Sequence, residues 1–442
     1  MDKTELDEAG SLYDHDKAVL EKLGYKQTLD RSLSTFSNFG VTFSCCSILA
    51  GLTPLYGDAL QSGGPMTVIW VAIASTDLAM AQFLGSLVSM TTSYNPNEYV
   101  IFAIYVGILI LHGVVNSMAV RLNGLFNNMS VWWHVIGTIT IVTVVVVSTP
   151  VKQPASWVFT EWVNNTGWSN GFYVFMLGLL QSQYTLSGYD SAAHMTEETH
   201  DAQRGGPKGI IMAIVSASAV GWFFLLGITF CITDFENQIV NPTVHVALSQ
   251  IFLDSAGLKL ATFLIFIIFG AQFFCGSALT LSSSRMVYAF ARDGALPFSS
   301  HLRKLNKDKS PVLAVWFNIA FCFILGLPYI WSNTAYSAIV SVNTIASSIS
   351  YLIPILCRII LARDTFEPGP FNLGRFSTPV GVVASLWIIV TETSGDLNDM
   401  DRASTNTEMM GQDGEMYITE EDKARQQQQQ DYAHLDLKPK GN

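Results

Sequence analysis

The chain has 442 residues, half of them hydrophobic and only 13% charged, with a formal net charge of −11. A soluble domain carries about 25% charged residues, so this composition excludes an ordinary water-soluble enzyme and points to lipid as the solvent. Much of the acid sits in the tails and in loops between apolar runs, and the absence of a basic stripe argues against a nucleic-acid partner.

Residues 1–35 read as a polar, cytoplasmic N-terminal tail. Residues 1–30 are charged throughout and hold no signal peptide, since the first apolar run starts only near Phe36. Most of this tail is expected to be disordered, apart from a short amphipathic helix near Leu20. A membrane helix needs about 20 apolar residues to cross about 30 Å of hydrocarbon, and candidate spans follow between charges. They are Phe36 to about Tyr56, Pro65–Met90 (broken only by Asp77), Val100–Val120, Val131–Ser148, Gly171–Tyr189, Ile210–Thr233 and Leu260–Leu281. From Ser310 to Cys357 there is no charge, which is too long for one helix and splits near Pro328. Pro379–Val390 is apolar but too short to span. Residues 36–391 therefore form one transmembrane domain. Residues 392–442, acidic and carrying the run Gln426–Gln430, read as a disordered polar tail.

Cys45, Cys46, Cys231, Cys275, Cys322 and Cys357 lie in or beside apolar stretches without metal-ligand spacing. They read as small apolar fillers, and no metal or other cofactor is implied.

Orientation follows from Lys and Arg in alternate loops. One set of loops holds Arg121, Arg204, Lys208, Arg285, Arg292, Arg303, Lys304, Lys307, Lys309, Arg358, Arg363 and Arg375, and the opposite set only Lys152 and Lys259. The first set belongs in the cytoplasm, which puts the sequon at Asn164 outside, where it could be glycosylated. A conflict results. If the N-terminal tail is also cytoplasmic, Pro65–Met90 must begin and end on the same side, and a single straight helix cannot do so.

Charge inside a membrane is costly and marks function by default. Asp77 and Asp190 are the two acids deep in apolar sequence. Asp77 reads equally as a helix-packing residue or as a proton or amine partner. Asp190 sits in a run of small and polar residues, Tyr184 to His194, that interrupts a helix; the bland alternative is an interfacial helix end. The first span carries Gly51 and Pro54, which read either as a simple kink or as a second interruption. Two interrupted helices separated by several spans point to a midplane site in a transporter of inverted repeats, where freed backbone groups hold the charged ends of a ligand. His134 is read as the one histidine near a span centre, in a packing role or as a proton relay. Motifs for zinc proteolysis, nucleophile elbows and phosphate loops are absent from the sequence, so no enzyme is expected.

Four motifs carry a resemblance. GYDSAAHMTEET (Gly188–Thr199), followed by Arg204-Gly205-Gly206-Pro207, resembles the sixth-helix signature of amino acid permeases. SSSRMVYAFARDGALP (Ser282–Pro297) resembles the loop after their eighth helix, SILAGLTPLYGDALQSGGP (Ser47–Pro65) their broken first helix, and EPGPFNLGRF (Glu367–Phe376) their tenth-to-eleventh loop. The chain is thereby identified as a member of the amino acid–polyamine–organocation superfamily, over roughly residues 30–390, in the branch of GABA and choline permeases and bidirectional amino acid transporters.

The resemblance implies an all-α, multi-pass bundle like the five-plus-five inverted-repeat fold, here with about nine or ten of its twelve helices. It implies that helices one and six are unwound around a small amino acid or amine. Ala50, Gly51 and Leu52 would offer N–H groups to a carboxylate, Ser187, Gly188, Tyr189 and Asp190 would face the amine, and Tyr184 would line the site. Ser277 and Thr280 would serve a cation site, with H+ or Na+ as the coupling partner. STDLAMAQFLGS (Ser75–Ser86) resembles the end of helix three and SGGPMTVIW (Ser62–Trp70) the start of helix two. Most of what lies between them in the family is absent, and the match ends inside helix eleven near Trp387, so helix twelve is expected to be missing too. Two readings remain: a secondary transporter of amino acids, GABA-like amines, choline or polyamines in the plasma or an internal membrane, or a shortened, transport-inactive splice form or gene-model product that only binds ligand or partners.

Overall fold

The structure is a computed structural model that describes residues 16–50, 69–163, 170–175, 185–331 and 349–390, except residues 23, 30, 93, 95, 119, 172–173, 187, 241, 245, 308 and 364. In chain order the helices are α1 (residues 16–22), α2 (Thr35–Cys45), α3 (Ile69–Thr91), α4 (Glu98–Asn116), α5 (Val120–Ser148), α6 (Ala155–Thr160), α7 (Ser191–His194), α8 (Ala202–Thr229), α9 (Ala247–Arg292), α10 (Ser299–Leu302), α11 (Val312–Gly326), α12 (Ile349–Leu361) and α13 (Gly374–Val390). Among the described residues the only β-type pairing is an isolated bridge between Leu33 and Thr199. This is the expected all-helical outcome, because a backbone without water must satisfy its own hydrogen bonds.

Among the described residues, five helices are long and apolar enough to cross a membrane: Glu98–Asn116, Leu122–Ser148, Ala202–Thr229, Ala247–Arg292 and Val312–Ile330. The 23 residues of α3 reach the same length, about 34 Å at 1.5 Å per residue. Part of the expected spans at Phe36–Tyr56 and Gly171–Tyr189, and much of the stretch after Pro328, lie outside the described residues. Outward faces carry Trp132, Val147 and Trp222, each more than 60% exposed, as a surface wetted by lipid requires. The described residues to Ile388 form one compact unit, and the second unit, Ile389–Asn442, is described only at Ile389 and Val390.

Local chemistry sets the ends. Ser34 caps α2 by accepting from the Ser37 N–H at 3.1 Å, and Asn97 caps α4 through the Val100 N–H. α9 bends at Gly257, whose φ of 72° lies where only glycine sits without strain. α11 ends at Gly326 and runs into a 3-10 turn at Leu327–Ile330, the split expected at Pro328. The N-terminal tail is more ordered than expected. α1 is present at the predicted place, and Leu29 and Arg31 are buried.

Side-chain pairs give the helix directions. Asn38 meets Gly209 and Ile48 meets Gly221, so α2 and α8 are parallel. Gly40 meets Asn127 and Ser47 meets His134, so α5 runs with them. Trp133 donates to the Ile267 carbonyl while Phe126 packs on Phe274, so α9 runs against α5. His112 pairs with Phe273 and Asn116 with Ser277, so α4 runs with α9. Asp77 pairs with His112 while Gly85 packs on Ile101, so α3 opposes α4. Hence α2 and α3 run in the same direction although they are consecutive in the described chain. This corrects the expectation that Pro65–Met90 starts and ends on one side. The helix is continuous from Ile69 through Asp77 to Thr91, and residues 51–68 lie outside the described residues.

Among the described residues, the two largest of three packed cores hold the bundle. Phe43, Leu49, Ile141, Phe224, Phe252 and Ile268 join α2, α5, α8 and α9. Leu78, Met80, Tyr105, Leu109, Leu279 and Cys322 join α3, α4, α9 and α11. α9 belongs to both and so carries the contacts of one core to the other.

Candidate substrate site

The first helix breaks at Cys46 and Ser47, then resumes at residues 48–50, where this described stretch stops. Sequence alone pointed to Gly51 and Pro54, which lie outside the described residues. The break at Cys46 and Ser47 has a physical cause. Ser47 Oγ accepts from the Ala50 N–H at 3.0 Å, capping the new turn, and lies 2.5 Å from His134 Nε2. The other ring nitrogen of His134 faces the Ser130 carbonyl at 2.8 Å and therefore carries the proton. With both ring nitrogens engaged by Ser47 and Ser130, His134 is packed and hydrogen-bonded between the first helix and its own helix, which favours its packing reading. The Ala50 N–H is thus already bound, and the Ala50 carbonyl accepts from Gln272 Nε2 at 3.2 Å. The other two expected N–H donors, Gly51 and Leu52, lie outside the described residues.

The sixth-helix region also unwinds where the sequence indicated. Thr185 ends a helical stretch, turns follow from Leu186, and helix resumes at Ser191. Gly188 has a φ of 81°, and a Cβ there would stand 3.1 Å from Cys45 Cβ. Only glycine lets this turn lie against the first helix. Cys46 Sγ, in turn, points to the Leu186 carbonyl at 3.5 Å. The two breaks therefore abut.

Asp190 projects from this turn and is 16% exposed. Its Oδ2 lies 3.0 Å from His194 Nε2, one turn along. Tyr189 beside it packs on Tyr351 of α12 with ring centroids 5.3 Å apart, and the Tyr351 hydroxyl faces the Asp190 carboxylate. The structure thus brings together Gly188, Tyr189 and Asp190 and adds Tyr351 and His194. Tyr184, Ser187 and the sequon Asn164 lie outside the described residues. Ser277 and Thr280 sit on α9: Ser277 Oγ accepts from Asn116 Nδ2 at 3.3 Å, and the Thr280 hydroxyl donates to its own helix at the Gly276 carbonyl. Both hydroxyls are engaged by protein groups.

Below this site the Arg/Lys-rich end is closed by ions that the sequence did not single out. Arg285 Nε donates to Glu198 Oε1 at 2.9 Å with both side chains buried. Arg292 meets Glu197 at 2.8 Å and stacks over Tyr25. Arg31 binds the Thr199 and Thr196 carbonyls and Asp16. Leu33 exchanges backbone hydrogen bonds with Glu198 and His200. The N-terminal segment is thereby strapped across the foot of the sixth-helix region. His112 was missed as well. It is a second fully buried span histidine, paired with Asp77.

Residues 66–397, well over half of the chain, match the family described as amino acid permease. The chain belongs to that family, within the amino acid–polyamine–organocation superfamily. It is 32% identical to the amino-acid permease BAT1 of Arabidopsis thaliana, covering 85% of this chain and 87% of that one. It is 35% identical to the BAT1 homolog of Oryza sativa subsp. japonica, covering 86% and 87%. The GABA-specific permease of Saccharomyces cerevisiae is 24% identical, over 85% of this chain and 78% of its own. The Arabidopsis alignment runs over 449 positions although it takes in only 85% of a 442-residue chain. That permease therefore has residues with no counterpart here, as a missing internal stretch requires. Amino acid permeases are multi-pass membrane transporters, not enzymes, and this permease moves amino acids.

Proposed function

We propose that this permease carries small amino acids, GABA-like amines among them, through a midplane site between its two broken helices. The observation that carries this reading is the abutment of the breaks, Gly188 on Cys45 and Cys46 on Leu186. There the backbone leaves the helix inside protein, where freed polar groups serve a ligand. The amine is held at the Gly188–Asp190 turn, with the Asp190 carboxylate as its charged partner and Tyr184 and Ser187 lining the site. The substrate carboxylate is held by Gly51 and Leu52 N–H groups, beyond the turn whose own N–H is taken by Ser47. Tyr189 and Tyr351 close over the amine, and their faces would accept a quaternary ammonium such as choline by the same attraction that cations have for aromatic rings. Coupling to H+ or Na+ drives accumulation. The Arg/Lys-rich end is the cytoplasmic one, with residues 1–35 inside, residues 36–391 in the membrane and 392–442 as a polar tail.

The relatives' printed names support amino acids and GABA as substrates. The test is equilibrium binding of radiolabelled alanine, GABA, choline and putrescine to the purified chain. Alanine or GABA should bind, and Asp190→Asn should weaken binding about tenfold or more, the loss of about 1.4 kcal/mol or more expected when a charge-assisted hydrogen bond to an ammonium is removed. Unchanged binding would remove Asp190 from the site. Binding without transport would favour the transport-inactive reading.

A further inference from the structure

Asp77 and His112 are fully buried, on α3 and α4, with His112 Nδ1 3.1 Å from Asp77 Oδ2. His112 Nε2 lies 3.0 Å from the Phe273 carbonyl of α9. A carbonyl can only accept, so Nε2 carries a hydrogen. The hydrogen bond to Asp77 then needs one further proton, on Nδ1 or on the carboxyl. In either position the pair is neutral and holds one proton between two atoms.

Removing that proton leaves a carboxylate facing an imidazole lone pair. The titratable groups around it among the described residues are thiols and a phenol: Cys275 on α9, Cys322 on α11, and Tyr105 on α4, whose hydroxyl binds the Cys322 carbonyl. The broken first helix contributes Cys45, whose carbonyl accepts from Cys275. No described Lys or Arg pairs with Asp77, and its Oδ1 has no hydrogen-bond partner among the described residues. An uncompensated buried charge is strongly unfavourable, so the closed packing holds only while the proton is present.

The packing itself is built for this contact. Gly276 leaves the room: a Cβ there would overlap Asp77 Oδ1 and lie 2.6 Å from His112 Cε1. The same turn of α9 grips the broken first helix, through Gln272 to the Ala50 carbonyl and Cys275 to the Cys45 carbonyl at 3.6 Å. Residues 272–276 therefore touch the Asp77–His112 pair on one side and the helix break on the other.

We infer that Asp77 and His112 form a proton-binding site, and that each substrate carried by this permease moves with a proton loaded on that pair from one side of the membrane and released on the other. Histidine with both nitrogens engaged and a single spare carboxylate oxygen is a poor sodium cage, since hard cations of this kind take several oxygens. The inference rests on the transport reading above and names its coupling ion.

The experiment uses the purified full chain in liposomes, with radiolabelled alanine and GABA and the membrane potential clamped to zero. An interior one pH unit more alkaline should accumulate substrate about tenfold for one proton per substrate. Asp77→Asn and His112→Gln should bring the accumulation ratio to about one, yet still exchange internal for external substrate, because exchange needs no net proton movement. The glutamine amide can still donate to the Phe273 carbonyl, so His112→Gln serves as the milder variant if Asp77→Asn does not fold. Variants that accumulate like the wild type overturn the inference. So does a wild type that exchanges but ignores the pH gradient or follows sodium instead. A monodisperse variant that loses exchange together with accumulation assigns the pair to packing. A wild type that neither binds nor exchanges defeats the transport reading itself.

Discussion

Breaking the Arg285–Glu198 pair should be far more costly than replacing it whole. The two side chains are 2% and 1% exposed, and their contact is a single bond at 2.9 Å rather than a fork. Arg285 Nη1 also bonds Ser284 Oγ, while Arg285 Nη2 and Glu198 Oε2 have no hydrogen-bond partner among the described residues. Both charges have lost their water, so solvent screening offers little relief. Arg285→Met or Glu198→Leu alone leaves the other charge buried and uncompensated, for a loss of about 3–5 kcal/mol each. The double variant removes both desolvation costs and should fall within about 1 kcal/mol of the wild type or gain stability. Reversible unfolding by SDS in mixed micelles, followed by tryptophan fluorescence, measures all four corners of the cycle. Single variants within 1 kcal/mol of the wild type, or a double variant as unstable as the sum of the singles, would refute the burial argument.

Gly188→Ala forces a left-handed backbone onto a residue with a Cβ and presses it against Cys45. It should lose about 1–2 kcal/mol of stability and weaken alanine binding in the same equilibrium assay. Asn164→Gln should abolish a glycan-dependent mobility shift in a eukaryotic membrane preparation, since α5 carries the chain from the Arg121 end to the Lys152 end before the sequon. A wild type that takes no glycan there would count against the proposed orientation.

The sequence makes some of this visible and hides the rest for identifiable reasons. The sixth-helix break is legible because Ser187, Gly188 and Asp190 interrupt an apolar run, and small polar residues have no other business at that depth. The break at Cys46 and Ser47 is hidden because its cause is tertiary. Ser47 caps the next turn and bonds His134, 87 residues away, and Gly51 and Pro54 are louder local signals than a serine. His112 looks like an isolated polar residue in an uncharged span. Its meaning depends on Asp77, 35 residues earlier on another helix. Arg285 and Glu198 both stand inside motifs that were recognised, yet their pairing across 87 residues has no periodicity to reveal it. Tyr351 is one tyrosine in a long apolar stretch until α12 lays it on Tyr189. The direction of α3 is hidden too, because an apolar helix reads the same from either end and only its neighbours fix its sense.

The most direct test of the account is transport by the chain as it stands. The purified protein, reconstituted into liposomes preloaded with unlabelled alanine or GABA, should take up the labelled substrate by exchange, and Asp190→Asn should reduce that uptake while the protein remains monodisperse. A wild-type chain that binds these substrates but exchanges none of them would contradict the claim that its two broken helices form a working carrier.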